Sequence, residues 1–490
     1  MKKIFNYKHI IVLSALFLAS SCNKLDINNS PNNPKVEDAT METLFPSGVM
    51  SSVGRINGDL SIIGGMWAQF WTQNSGSSQF RTVDAYNLSN TSNFINGAYT
   101  ELYSGALNDY RLTLEIANDK QEWHYNLMAT VMKAYTYQVL VDLFDKVPYT
   151  EALQPTVYVQ PKFDDGYTIY KSLIAEIDAA LAKDFQSTDL TDAQMKTDLL
   201  FKGDMDGWVR FANTLKLKMY LRMVNAKPTE ADAGVKALYA SNAEFLEGNA
   251  GADVFVNTPN KSNPFFEYNF RRLNTPDNLK ASKTLITWLT KNADPRDKAY
   301  FVTDDGVIVS AHQGDYLTTT NGATNPTIKS TDPAWLISEA ESYFMQAEAL
   351  ERYFGGVGAK AMYDKGVTAA FAQVGLTPGA LLTGVYAYPG GSLDTKIEAI
   401  IVQKWASLFG SHALEAFLEQ NRTGYPKISP VYSKDPSYAT TYAGQLVYSP
   451  NGVTGPGNFP RRFVFPDNEK SRNSNTPAEV PIYTKVWWGK

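Results

Sequence analysis

With 490 residues and a formal charge of −5 at neutral pH, the chain can bury a large core, as two to four domains or as one large unit. Its acidic balance, with a pI of about 5.6, argues against a nucleic-acid partner, which calls for a basic field. A single cysteine excludes an internal disulfide, so stability rests on packing, and the aromatic content of 13% suits either a large helical core or sugar-stacking platforms.

The first element in chain order is an export signal over residues 1–21. Lys2, Lys3 and Lys8 precede an apolar run from Ile10 to Ala19, and the small residues of A-S-S lead into Cys22. That is a secretory signal ending in a bacterial lipobox, in which the Cys22 thiol takes the diacylglycerol and becomes the first residue of the mature chain. The apolar run is shorter than the roughly 20 residues of a membrane-spanning helix, and durable anchoring takes more than one acyl chain. Residues 22–38, polar and rich in Asn and Pro, read as a flexible tether from lipid to folded body.

The segment GGMWAQFWTQNSGSSQFRTVDAY follows. Trp71, Phe80 and Tyr86 stand close in sequence to Gln73, Asn74 and Arg81, and flat rings beside amide and guanidinium donors are what an oligosaccharide site requires. The i, i+3, i+4 spacing of Trp67, Phe70 and Trp71 equally fits one apolar helix face turned to the core.

Helix periodicity then predicts helices over Tyr125–Phe144, with Met128, Met132, Tyr135, Val139 and Leu143 on one stripe, and over Tyr167–Leu181. Further helices are predicted over Trp208–Val224, Trp335–Phe354, Tyr363–Val374, Ile397–Phe409 and His412–Glu419. Short connectors group them in pairs of tetratricopeptide type, although an irregular bundle would have the same core. The fold class is therefore all-α, with long irregular loops over Phe301–Lys329, Pro378–Asp394 and Ile428–Pro481. Loops of that length carry function or disorder, and Leu446–Tyr448 within the last of them reads as a short strand.

Catalytic motifs are absent from the sequence. Once His9 leaves with the signal, His124, His312 and His412 stand far apart, with no zinc-ligand spacing, no G-x-S-x-G elbow and no phosphate-binding loop. Asp164–Asp165, Asp204/Asp206 and Asp304–Asp305 are the acidic pairs that glycoside hydrolysis would need, on spacing alone. Asp204-x-Asp206 offers oxygen donors to a calcium ion, or a helix N-cap at Asp206; no other cofactor is expected.

Several stretches, in order, resemble one family. They are KAYTYQVLVDLFDKVPYTEA (133–152), the helix Glu341–Leu350, IVQKWASLFGSHALEAFLEQNRTGYP (401–426), RRFVFPDNEKSRNSN (461–475) and TKVWW (484–488). Together with the lipobox they are similar to the SusD/RagB-like outer-membrane lipoproteins of Bacteroidetes, in the branch associated with starch binding. Lys146, Phe417 and Asn421 depart from the family's usual residues. The resemblance implies one SusD-like domain over 39–490 with four tetratricopeptide-like helix pairs. It also implies a surface-exposed, lipid-anchored protein of the cell outer membrane that binds oligosaccharides or peptides, does no catalysis, and caps a SusC-like TonB-dependent transporter for nutrient uptake. Arg422, Gly424, Arg461, Arg462 and Glu469 fall in its motifs and read as scaffold. Arg422 would bind helix-end carbonyls, and Arg461, Arg462 and Glu469 would hold the C-terminal loop. The ligand rim would combine the N-terminal aromatic segment with Phe301–Lys329.

Overall fold

The computed structural model describes residues 39–89, 92–187, 189–272, 277–303 and 305–490. The signal, Cys22, the tether and Asp304 lie outside the described residues.

The body is helical. Its longer helices are α1 (Met41–Ile56), α2 (Asp59–Trp67), α3 (Asn93–Glu101), α4 (Asn108–Lys120), α5 (Trp123–Phe144), α6 (Gly166–Leu181) and α7 (Met205–Arg222). They continue with α8 (Pro228–Ala240), α9 (Lys283–Lys291), α10 (Glu339–Tyr353), α11 (Ala359–Ala372), α12 (Leu393–Ser407) and α13 (Leu414–Thr423). Neighbours in sequence pack together as pairs: α4 on α5, α7 on α8, α10 on α11 and α12 on α13.

Polar side chains set where helices begin. Asp165 accepts from the Thr168 N–H at 3.0 Å to start α6, Ser338 accepts from Glu341 at 3.2 Å to start α10, and Ser392 accepts from Thr395 at 3.2 Å to start α12. Each satisfies a first-turn N–H that has no partner inside its helix. The helix expected to begin at Trp335 starts at Glu339 instead, because Ala334–Ile337 pairs as a strand with Ala250–Ala252.

Helix α5 is the axis of the body. The periodic stripe predicts one buried face, yet nearly every residue from His124 to Phe144 is buried, Gln138 and Asp142 included. Helices α4, α6 and α7 pack around it. A helix enclosed in this way brings polar groups into the core, and they need partners there.

The partners form a buried charge network where α5, α7, α10, α12 and α13 meet. Arg222 reaches Asp142 at 3.0 Å, Glu415 at 2.9 Å and Glu419 at 2.6 Å. Lys218 lies 3.1 Å from Glu341 and 2.9 Å from Glu415. Lys404 lies 3.3 Å from Glu419. Burial works to raise the Glu419 carboxyl, but Arg422, Lys404 and Arg222 hold it well below the usual range. His412, at the same junction, is driven down to about 4 by burial and by Lys218, so its ring is neutral at physiological pH.

The strands are three to five residues long and, among the described residues, pair only two by two. One pair positions the candidate site: β1 (Trp71–Gln73) runs antiparallel to Leu279–Ala281, with Trp71 opposite Ala281. Leu446–Tyr448 is a strand, as expected, and pairs with Ile428–Tyr432.

Arg422 does not act mainly on helix-end carbonyls. Its guanidinium binds the Glu348 and Glu419 carboxylates, with one long contact of 3.4 Å to the Leu221 carbonyl. Gly424 takes the left-handed conformation at the end of α13, φ 81°, which a residue without Cβ adopts at little cost. Arg461 donates to Asn421 at 3.0 Å, Arg462 donates to the Phe144 carbonyl at 2.6 Å, and Glu469 accepts from Asn473 at 2.9 Å. These contacts tie the C-terminal loop to α13 and α5.

Candidate ligand site

The aromatic segment that follows α2 is mostly core. Trp71 is fully buried, with Nε1 donating to the Ile62 carbonyl at 3.0 Å and its ring edge-on to Phe265 and Phe409 at 5.0 and 5.4 Å. Phe80 packs on Phe94 at 5.4 Å, and Tyr86 packs on Phe459 at 5.1 Å. Gln73 spends its amide on the loop it precedes: Nε2 donates to Ser77 Oγ at 2.6 Å, and Oε1 accepts from the Phe80 N–H at 2.6 Å. The expectation that Trp71, Gln73, Phe80 and Tyr86 contact ligand is therefore corrected. Strand β1 is buried on both faces, so alternation along it exposes neither side. Helix α2 also ends at Trp67, so a shared helix face is not what brings Phe70 and Trp71 into the core.

Two of the named residues remain at the surface. Asn74 is half-buried, and its side chain accepts from Gly76 at 3.3 Å. Arg81 closes the loop by donating to the Ser77 and Ser75 carbonyls at 2.9 and 2.8 Å. Its guanidinium lies 5.6 Å from the centre of the Tyr316 ring. Tyr316 sits in the loop expected to share the rim, and the Gly314 N–H joins that loop to Thr72 at 2.9 Å. So the two loops do meet, but Tyr316 was not singled out from the sequence.

A large concavity lies elsewhere. It is a cavity of about 640 Å³ bounded by α1, the end of α3 and residues 254–272. Tyr268, half-buried, packs its ring against Gly58, where an added Cβ would come within 2.7 Å of it. Two guanidiniums lie over that ring, Arg272 at 4.1 Å and Arg55 at 5.7 Å. Arg55 donates to Asp59 at 3.1 Å and to the Tyr268 hydroxyl. Burial pushes the Asp59 carboxyl up to about 7, with Arg55 drawing it back. Met50, Val254 and Val256 also line the cavity, the two valines exposed. Apolar side chains together with fixed donors match a sugar ring, which presents C–H groups on its face and hydroxyls at its edge.

The local sequence holds this lining in place. Asn263 caps the short helix Pro264–Phe266 and donates to the Asp332 carbonyl at 2.9 Å. Glu267 accepts from the Asn260 and Ser262 N–H groups at 3.0 and 3.4 Å. Phe266 and Phe270 stack at 4.9 Å. Further along the chain, the Asn278 carbonyl accepts from the Asn74 N–H at 2.8 Å and from Gln73 Nε2 at 3.2 Å. Cavity and Arg81 loop thus lie at the two ends of residues 263–281. The sequence signal was the run P-F-F-E-Y-N-F-R-R (264–272), rings interleaved with cations, which no expectation had included.

Of the acids considered for hydrolysis, Asp164, Asp165 and Asp204 have structural tasks, and Asp304 lies outside the described residues. Asp164 accepts from the Tyr149 and Thr150 N–H groups at 3.1 and 2.8 Å, and Asp165 caps α6. Asp204, not Asp206, caps α7 by accepting from the Asp206 N–H at 3.1 Å. Among the described residues no three His, Cys, Asp or Glu side chains gather in a way that could hold a metal ion, and no helix is long and apolar enough to cross a membrane.

A family model described as SusD-like, starch-binding associating with outer membrane, matches residues 31–447. Among solved structures, a SusD homolog from Bacteroides uniformis is similar over 91% of this chain and 99% of its own, at 20% identity and a TM-score of 0.74. A chitin-binding SusD homolog from Flavobacterium johnsoniae is similar over 91% and 98%, at 20% identity and a TM-score of 0.71. A SusD-like protein from Bacteroides thetaiotaomicron gives the same shares, identity and score. At this identity the likeness shows a common fold. No curated protein sequence matches the chain.

Proposed function

The chain belongs to the SusD-like family, and from that premise we propose that it is a non-catalytic oligosaccharide receptor. In this reading it is anchored to the outer membrane through acylated Cys22 and hands its ligand to a SusC-like TonB-dependent transporter. The observation that carries the binding role is the cavity of about 640 Å³ over Tyr268, Arg55 and Arg272. Its size suits a few sugar units. Arg81 with Tyr316, at the other end of residues 263–281, supplies a second contact. Handover to a transporter favours modest affinity, since a slow off-rate would delay release.

The test is glycan binding by the full-length chain purified in detergent, read by array and calorimetry. Tyr268→Ala lowers affinity for the bound glycan by about tenfold or more, and Arg81→Ala by a few-fold. Unchanged affinity in Tyr268→Ala places the ligand elsewhere. Fatty-acid labelling that persists in Cys22→Ser, or failure to co-purify with a TonB-dependent transporter after mild solubilisation, counts against the anchoring or the pairing.

A further inference from the structure

We propose that the cavity over Tyr268 selects an oligosaccharide that carries carboxylates, a uronate-type or sialate-type chain, over a neutral one. This deepens the reading above and rests on the cavity being the glycan site.

The argument is an account of which charges along the cavity are already committed. Glu267 accepts from two backbone N–H groups and pairs with Arg271 at 3.4 Å. Glu101, on the α3 side, accepts from Ser51 Oγ at 3.0 Å. Arg55 is shared between Asp59 and the Tyr268 hydroxyl. Asp59 and Glu267 are thus paired with cations of the chain, while Glu101 is held by a hydroxyl alone. Two cations that line the cavity, Arg272 and Lys261, make no ion pair among the described residues, although Arg272 lies near enough to Asp59 to draw its carboxyl down.

Arg272 differs from an ordinary solvated arginine in being held. Its guanidinium lies 4.1 Å from the centre of the Tyr268 ring, and that ring is itself fixed against Gly58 and bonded to Arg55. A stacked guanidinium has lost much of its rotational freedom before any ligand arrives, and its planar fork matches a carboxylate at two points. Elsewhere, Arg111, Arg210, Arg222, Arg296, Arg352 and Arg422 carry carboxylate partners of their own. In the cavity such a partner would come from the ligand, with Lys261 adding a second positive charge and Val254 and Val256 covering the apolar face of the sugar.

The experiment presents the full-length chain in detergent with an array of oligogalacturonate, alginate and sialylated oligosaccharides, their methyl-esterified forms, neutral oligosaccharides and acidic peptides. The expected result is retention of at least one carboxylated glycan, a loss of about tenfold or more on esterification, and a similar loss for that glycan in Arg272→Gln. Binding should also weaken steeply with added salt. Retention of neutral glycans alone, of peptides alone, or of no carboxylated glycan overturns the proposal, as does an Arg272→Gln variant with unchanged affinity. Tyr268→Ala separates the two readings. If it abolishes binding of a neutral glycan, the site stands and the charge selectivity falls; if a carboxylated glycan still binds it, the site itself is elsewhere.

Discussion

The guanidinium of Arg422 meets the Glu348 carboxylate at two points, 2.7 and 2.6 Å apart, across the junction of α13 and α10. Both side chains are about 1% exposed. Glu348 also accepts from Arg352 at 2.7 Å, and Arg422 also binds Glu419 at 2.6 Å. The pair therefore links the buried charge network to the surface. It joins the helix pair α10–α11 to the pair α12–α13, and neither helix sequence alone indicates that partner.

Removing one side of this contact leaves the other buried charge with a single counter-ion, Glu419 for Arg422 or Arg352 for Glu348. Glu348→Ala is expected to cost about 2–3 kcal/mol, less than a fully stranded charge would, and Arg422→Lys a substantial part of that, since an ammonium cannot make the two-point contact. Denaturant unfolding of both variants checks this. A loss below about 1 kcal/mol in Glu348→Ala would mean that the network relaxes around the gap.

Trp71 tests the separation of core from ligand site. Its ring fills the space left by Gly65, where an added Cβ would sit 2.0 Å from Trp71 Cζ2. Trp71→Ala is expected to lower stability by about 3–5 kcal/mol, and Gly65→Ala to destabilise by displacing the ring. Glycan affinity of the folded fraction should stay within about twofold of the parent. A Trp71→Ala protein of parental stability that has lost its ligand would return this residue to the site.

Asp84 introduces a pH dependence. It accepts from Thr72 Oγ1 at 2.7 Å, the Gln73 N–H at 2.9 Å and Gln313 Nε2 at 2.8 Å. Burial pushes its carboxyl from 3.8 up to about 6 against these bonds. The folded chain thus holds a proton that the unfolded chain releases near pH 4. The resulting stabilisation is complete below that pH and is lost as pH rises toward 6, by about 3 kcal/mol for two pH units. Asp59, raised to about 7, acts in the same direction over a wider window. Unfolding free energies of the parent and Asp84→Asn between pH 4 and 8 check this, and the variant should show the shallower slope.

Much of the architecture could be read from the residues in order. Tyr167–Leu181 became Gly166–Leu181 and Trp208–Val224 became Met205–Arg222, because apolar residues recurring every third or fourth position leave little choice but a helix. The all-α class and the SusD-like family followed from such segments and from the motifs between them. Gly424, read from the sequence as scaffold within a family motif, ends α13, which runs to Thr423 rather than to Glu419. The cap expected at Asp206 is made two residues earlier, by Asp204, since an acid at either position is near the unpaired N–H groups of the first turn.

The candidate site was legible only in part. Periodicity and composition report which residues prefer to be covered, and on that basis a tryptophan in the core and one on a sugar platform look alike. Packing against Phe265, Phe409 and Gly65 decided Trp71, and both faces of β1 had to be buried before that was visible. Tyr268 and Arg272 became a cavity wall only when residues 254–272 folded back on α1, some 200 positions away in the chain. The local sequence set helix, cap and turn, because those depend on neighbours within a few residues. Which charges found partners, and which rings stayed open to solvent, was settled by contacts between distant segments.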